Sequence, residues 1–278
     1  MISIIICSRN AAQLELVKKN IAETINIPFE ILSVDNSQNK YSICTAYNSA
    51  ATEAKYERLC FMHEDVFIKT NNWGKIVLDI LDQGFGVIGV AGSKYKSKFI
   101  SGWTTGNPEY DFYNVYHTSS NNNTSHYYSN NFYAPVVECL TLDGVWLCCN
   151  KKVWDQIRFN SGLLSGFHFY DIDFSMRCSS ITKVGVTNAI DLEHNSSGKF
   201  NDTWLKAATT FHKYYKNNLP HANMELEKEE KERTEKSVYQ FWNKRLKNEP
   251  ISFFNRLRMQ WYAYSYMPKF VLQKLLKR

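Results

Sequence analysis

The apolar positions of the first ninety residues fall into runs that alternate between strand length and helical spacing. Ile2 to Cys7 is a strand run, and Leu14, Val17, Ile21 and Ile25 then recur at the period of a helix that Asn10 can cap. Phe29 to Val34 reads as a second strand, Ile43, Tyr47, Ala50 and Ala54 as a second helix, and Arg58 to Met62 as a third strand. A helix through Trp73, Ile76, Val77, Ile80 and Leu81 and a strand from Gly86 to Ala91 follow. This β-α-β-α-β-α-β order predicts an α/β fold with a mostly parallel central sheet flanked by helices.

The pattern then changes. Residues 93–134 are rich in Ser, Asn, Tyr and Gly with no helical period, and they read as an irregular insertion or loose hairpin over the face of the sheet. Strands return at Pro135 to Leu142 and Val145 to Cys149, a helix begins near Asp171, and short strands fall within 183–193. From Thr203 onward everything reads as helical. The segment Glu225 to Lys236 is charged on nearly every face and is expected to be a solvated helix. The reading is therefore a domain over 1–217 and a helical extension over 218–278.

Three of the strand runs end in polar groups: Ser8-Arg9-Asn10, Asp35-Asn36-Ser37 and His63-Glu64-Asp65. Ligands of open parallel sheets bind beyond the carboxyl ends of the strands. An arginine, a carboxylate able to accept from a ribose or base, and an acidic turn at one edge suit a nucleotide diphosphate with a metal. The dinucleotide fingerprint G-x-G-x-x-G is missing after the first strand, and no P-loop occurs, so hydride transfer and NTPase chemistry lose their main support.

In order and spacing, the stretches IIICSRN (4–10), VDNS (34–37), AYN (46–48), FMHEDV (61–66), VIGVAG (87–92), LDGVWL (142–147), GFHFYDIDFSMR (166–177) and EHNSSG (193–198) resemble a GT-A glycosyltransferase of the family-2-like group. The resemblance covers residues 1–217. It implies a nucleotide diphosphate-sugar donor, a divalent metal (Mn²⁺ or Mg²⁺), and single-displacement transfer with inversion to a hydroxyl. It implies donor contacts from Ser8, Arg9, Asn10, Asp35, Asn36, Asn48, His63, Glu64, Asp65, Gly92, Asp143 and Gly144. Asp65 matches the second acid of the family's metal motif, while His63 stands where the first acid belongs. Imidazole is acceptable to Mn²⁺ and less so to Mg²⁺, which favours manganese. His63 can also be read as stacking on the nucleotide or capping a turn, and Glu64 is expected to point aside. A histidine at the place of His194 completes the metal site in the resembling enzymes.

Asp173 and Arg177 are four apart and suit an ion pair along a helix. That leaves Asp171 at the helix mouth, either as the base that takes the acceptor proton, the family's catalytic acidic position, or as an N-cap. Gly144 permits close backbone approach to a ligand, and the resemblance puts Asp143 near the donor sugar. Trp103, Trp146, His168 and Tyr170 are candidate platforms for acceptor sugar rings. A sugar nucleotidyltransferase is the competing enzyme, but it lacks its usual glycine-rich signature here. A catalytically degenerate nucleotide-sugar binding or assembly protein is the non-enzymatic alternative, motivated by His63.

Composition adds two constraints. The apolar and charged fractions, 44% and 22%, are ordinary for a globular chain, and no apolar run approaches membrane-spanning length. The first apolar run is too short for a signal peptide, so the seven cysteines are expected to be reduced, mostly buried thiols of a cytoplasmic protein. The net charge of +6 is uneven: residues 237–278 hold nine Lys or Arg against one Glu, a local +8. In that stretch Ile251, Phe254, Leu257 and Trp261 are spaced as a stripe beside Arg256 and Arg258, with Lys269, Lys274, Lys277 and Arg278 beyond. This is the pattern of a helix at an anionic membrane surface, or of one docked on its own domain or a second subunit as a homodimer. No nucleic-acid-binding module is present.

Overall fold

The protein is described by a computed structural model, covering residues 1–118, 123–195, 198 and 200–275. Ser196 and Ser197 of the EHNSSG stretch, residues 119–122 of the insertion, and Lys277 and Arg278 lie outside the described residues.

The first half follows the expected alternation with one added strand, β4: β1 (Ile2–Ser8), α1 (Ala11–Thr24), β2 (Phe29–Asp35), α2 (Ile43–Thr52), β3 (Arg58–Met62), β4 (Val66–Ile68), α3 (Trp73–Asp82) and β5 (Phe85–Gly89). Asn10 caps α1 by accepting from the amides of Ala12 and Gln13 at 3.0 and 3.2 Å. Ser42 caps α2. Then come β6 (Ala91–Ser93), β7 (Tyr95–Lys96), β8 (Asp111–Thr118), β9 (Thr124–Tyr128), β10 (Val136–Glu138), β11 (Thr141–Leu142) and β12 (Trp146–Asn150). The chain finishes with α4 (Lys151–Ile157), α5 (Tyr170–Cys178), β13 (Lys183–Thr187), β14 (Leu192–His194), α6 (Asp202–Tyr214), β15 (His221–Ala222), α7 (Lys228–Arg245), α8 (Phe253–Tyr266) and α9 (Pro268–Leu275).

The main sheet has the order β10-β13-β5-β12-β3-β1-β2. Strands β2, β1, β3, β5 and β13 run one way, and β12 and β10 run against them. Successive side chains of a strand face opposite sides, so the sheet divides the apolar residues into two cores. Ile5, Phe61, Leu147 and Cys149 face one with α2, α5 and α6, while Ile4, Ile6, Met62 and Cys148 face the other with α1 and α3. All seven cysteines are free thiols and six are buried.

Two expectations change here. Of the two readings for residues 93–134 the hairpin is the one found, and it is part of a larger structure: among the described residues β8 pairs antiparallel with β9 and β6 and parallel with β14, in a second sheet. Its signature was hidden because β9 is exposed along its whole length and because a buried position of β8 is polar. That residue, Asn114, donates to the carbonyls of Asn188 and Ile190 and to Asp191. The charged segment 225–236 is also not wholly solvated. Glu235 is buried and accepts from the Tyr95 hydroxyl at 2.8 Å and the Lys98 amide, and Glu230 accepts from the Tyr110 hydroxyl.

The extension shares a core with the rest of the chain. Val238, Trp242, Leu246, Ile251 and Met259 belong to the same buried cluster as Phe61 and Phe174. Trp242 stacks on Trp204 at 5.3 Å and donates from its indole nitrogen to the carbonyl of Thr104 at 2.9 Å. Phe241 lies under Gly106, and a methyl group at Gly102 would strike the Trp242 ring. The loop 101–106 is therefore held from outside the main sheet.

Candidate active site

Pairing register brings the three polar strand ends together. Ser8 lies opposite Asp35 across β1 and β2, and Met62 of β3 lies opposite Ile6 of β1, so His63-Glu64-Asp65 emerge beside the end of β1. Glu64 turns toward β1 and not into the cleft. Its carboxylate accepts from the Ser8 hydroxyl and from the amides of Arg9 and Asn10 at 3.0 and 3.1 Å, which pins the β1–α1 turn.

His63, Asp65 and His194 converge, with one ligand atom from each within 4.8 Å of the others. β14 supplies the third member: it runs antiparallel to β4 with His194 opposite Val66, which sets the imidazole beside Asp65. Nε2 of His194 is buried without a hydrogen-bond partner, 3.4 Å from Oδ1 of Asp65. A buried ring nitrogen that faces a carboxylate without a hydrogen bond of its own suits a cation ligand. Burial pushes the Asp65 carboxyl up, but His194 and then His63 outweigh it and hold the group below its ordinary value. Burial, reinforced by His194, holds the His63 imidazole down at about 4, so at neutral pH it is uncharged, as a metal ligand must be.

Tyr170 sets the orientation of His63. Its hydroxyl donates to the Gly144 carbonyl at 2.8 Å, so its oxygen accepts from Nε2 of His63 at 3.0 Å and leaves Nδ1 with the lone pair. This replaces the expectation for Tyr170, which is buried and offers no sugar platform. Gly144 is demanded by the same contact, since a Cβ there would lie 2.1 Å from the Tyr170 hydroxyl. Its close neighbour is thus a protein side chain.

Asp171 sits in the first turn of α5 and is not its cap. The capping position belongs to Phe169, in the left-handed region at φ 69°. Asp171 accepts from the Gly144 amide at 2.7 Å and from the Ile172 amide. Burial, and then the negative Asp143, push it up to about 7 against those bonds. Asp143 itself accepts from the Trp103 indole at 2.6 Å and from the Val145 amide at 2.9 Å. The neighbouring Asp173 makes the expected pair with Arg177 at 2.7 Å, and Tyr215 donates to its other oxygen.

Other candidates fall elsewhere. Trp146 is fully buried against Trp73 in the α1/α3 core, because odd and even positions of β12 face opposite sides of the sheet, so it cannot meet an acceptor. Asn48 spends its amide on Phe159 and Trp154, locking α2 to α4. At Gly92 a Cβ would lie 2.1 Å from the Thr141 carbonyl, so that glycine is required by strand packing. Asn36 is buried and closes the 36–41 turn on the backbone of Tyr41. Asp35 and Arg9 are exposed at the edge, and Asp35 is held below its ordinary value by the Ser37 amide. His168 is part-exposed beside Phe167. Phe167 was missed: half exposed, its ring lies 5.3 Å from His63. Its signal in the sequence was an apolar residue in a glycine-flanked turn next to a predicted acidic site.

Residues 3–229 match the family described as glycosyltransferase-like. No curated protein sequence matches the chain. Among solved structures, S. aureus TarS 1–349 in complex with UDP-GlcNAc superposes with a TM-score of 0.53 at 12% identity, over 89% of this chain and 73% of that one. The same fragment in complex with UDP gives 0.52 at 14% identity, over 88% and 72%. GalNAc-T7 with UDP, GalNAc and Mn²⁺ gives 0.52 at 8% identity, over 96% of this chain and 58% of that one. At these identities the likeness is one of fold, and the fold is GT-A.

Proposed function

Because the chain belongs to the glycosyltransferase-like family, we propose that it transfers a sugar from a uridine diphosphate-sugar to an acceptor hydroxyl with inversion, using Asp171 as base and a divalent ion held by His63, Asp65 and His194. The observation that carries the reading is the meeting of two groups around Gly144. Its carbonyl fixes Tyr170 and through it His63, and its amide fixes Asp171. Proton chemistry and cation site are thereby referred to one residue.

Two imidazoles and one carboxylate favour Mn²⁺ over Mg²⁺, which prefers oxygen ligands. Once bound, such an ion neutralises the charge that develops on the departing diphosphate. Asp171 takes the proton of the acceptor hydroxyl as that oxygen bonds to the anomeric carbon and the bond to the diphosphate breaks, which is a single displacement. Its value near 7 matches a base that works near neutrality. Arg9 is available to the diphosphate, and Asp35 to the ribose or base. Hydroxyl-bearing acceptors of a growing surface polysaccharide fit this chemistry. The test is thermal stabilisation and calorimetry with UDP and UDP-GlcNAc, with and without MnCl₂. Stabilisation that needs Mn²⁺ and vanishes in Asp65→Ala is expected; donor binding indifferent to both sinks the reading.

A further inference from the structure

Helix α8 is apolar on two opposite faces. Met259 and Ala263 are buried against the domain, and the helix is fixed by Tyr262 donating to the His212 carbonyl, by the Ser252 amide donating to Asp202, and by Tyr239 donating to Gln260 at 2.7 Å. A docked surface helix ordinarily turns a polar face outward. Here the outward face carries Phe253, Phe254, Leu257 and Trp261, which are 68, 74, 42 and 70% exposed. Leu272 of α9 adds a further exposed apolar side chain, and Arg258 stands exposed on the same side of α8 as Phe254. The stripe seen in the sequence is thus split: Ile251 goes inward, and Phe254, Leu257 and Trp261 go outward.

We infer that this ridge is an interfacial contact for an anionic lipid bilayer, lying on the surface without crossing it, and that it presents the cleft to a lipid-linked acceptor glycan. The second part rests on the glycosyltransferase reading above. Three observations select a bilayer over a second copy of the chain. The segment 237–278 carries a net +8, and a second copy would bring two such segments face to face, whereas acidic headgroups attract it. Exposed Arg258 lies within the ridge-bearing helix, and exposed Lys244, Lys247 and Lys269 flank that helix in the chain, a basic and apolar combination typical of interfacial helices. The ridge includes Trp261 with Tyr264 on its flank, the residue types that settle at headgroup depth. No described helix is long and apolar enough to cross a membrane. Because α8 is bonded to α6 and α7, contact with a surface would fix the direction in which the cleft opens.

The test is co-sedimentation of the full chain with phosphatidylcholine vesicles and with phosphatidylcholine–phosphatidylglycerol vesicles. The double variant Phe254→Ser/Trp261→Ser and the single variant Arg258→Glu alter exposed side chains and leave the core intact. Binding only to the acidic vesicles is expected, weakened about 10-fold or more by either variant and abolished by salt near 1 M, where the screening length falls to ~3 Å. UDP-sugar hydrolysis should be unchanged in both variants. Wild-type protein that ignores acidic vesicles, or variants that bind as well as wild type, overturns the inference. So does a dimer in light scattering that the double variant dissociates. Vesicle binding without any donor hydrolysis would leave the anchor standing and refute the glycosyltransferase reading instead.

Discussion

At the β1–β2 end of the strand edge, most polar side chains are satisfied nearby: Asn10 caps its own helix, Asp35 accepts from Ser37, and Asn36 bonds Tyr41 five residues on, while Glu64 alone reaches in from β3 to Ser8, Arg9 and Asn10. At the β3–β12 end, partners come from far along the chain. Asp171 reaches Gly144 across 27 residues, Asp143 reaches Trp103 across 40, and His63 reaches Tyr170 across 107. The first end is built mostly from local turn chemistry, and Arg9, Asn10 and Asp35 there are exposed. The second crowds two carboxylates together and leaves a ring nitrogen without a hydrogen bond, a costly arrangement of the kind that gathers at functional sites. The two ends therefore differ in burial and in crowding of charge more than in polarity.

The largest test of that contrast is Asp171→Asn, which should lower turnover by ~10²-fold or more while donor affinity stays constant. Wild-type turnover should rise with pH through about 7 as Asp171 loses its proton, and the variant should lack this limb. Stability carries the opposite sign. The folded value lies above that of the unfolded chain, so the contribution of Asp171 is full below about pH 4 and fades as pH rises toward 7. The melting temperature of the wild type should fall relative to Asp171→Asn across that window and run parallel to it above. A variant with wild-type turnover would remove the base from the far end of the edge.

Tyr170→Phe comes next. It frees the Gly144 carbonyl and the orientation of His63, and should weaken Mn²⁺ affinity about 10-fold, the lower end of what outer partners of metal ligands cost. Calorimetry with MnCl₂ and UDP measures it, and an unchanged affinity would separate Tyr170 from the cation site. Smallest is Glu64→Gln at the near end. It should cost about 1 kcal/mol of stability through weakened bonds to Ser8, Arg9 and Asn10, and leave Mn²⁺ affinity alone. If Mn²⁺ affinity dropped as far as in Tyr170→Phe, the division between the two ends would fail.

The same division explains what the sequence made legible. Strands and helices up to β5, the three-residue β4 excepted, were readable because positions such as Ile4, Ile6, Val17 and Ile21 obey two clean periods. The β8–β9 pair was obscured, since its inward Asn114 is polar and its outer strand is all solvent-facing. His63, Asp65 and His194 were nameable from their place in the motifs. The exclusion of Trp146 depended on register, because a one-residue difference in phase along β12 decides cleft or core. Tyr170 was named for its ring and acts through its hydroxyl, a role that exists only once β12 and α5 are in contact.

The grip of Trp242 on the loop that carries Trp103 also orders the events of biosynthesis. That loop leaves the ribosome long before its clamp does: Thr104 and Trp242 are 138 residues apart, as Tyr95 and Glu235 are 140. At ~5–20 residues per second, the nascent chain waits on the order of ten seconds between making Trp103 and making the residue that seats it. The sheet can assemble before α7 is made, and the ring surfaces of Phe200 and Trp204, themselves made shortly before Trp242, stay open to solvent until it covers them. The indole that holds Asp143 is thus among the last parts of the molecule to be set, and a chain that stops short of α7 would carry every strand of the fold and an unfinished pocket.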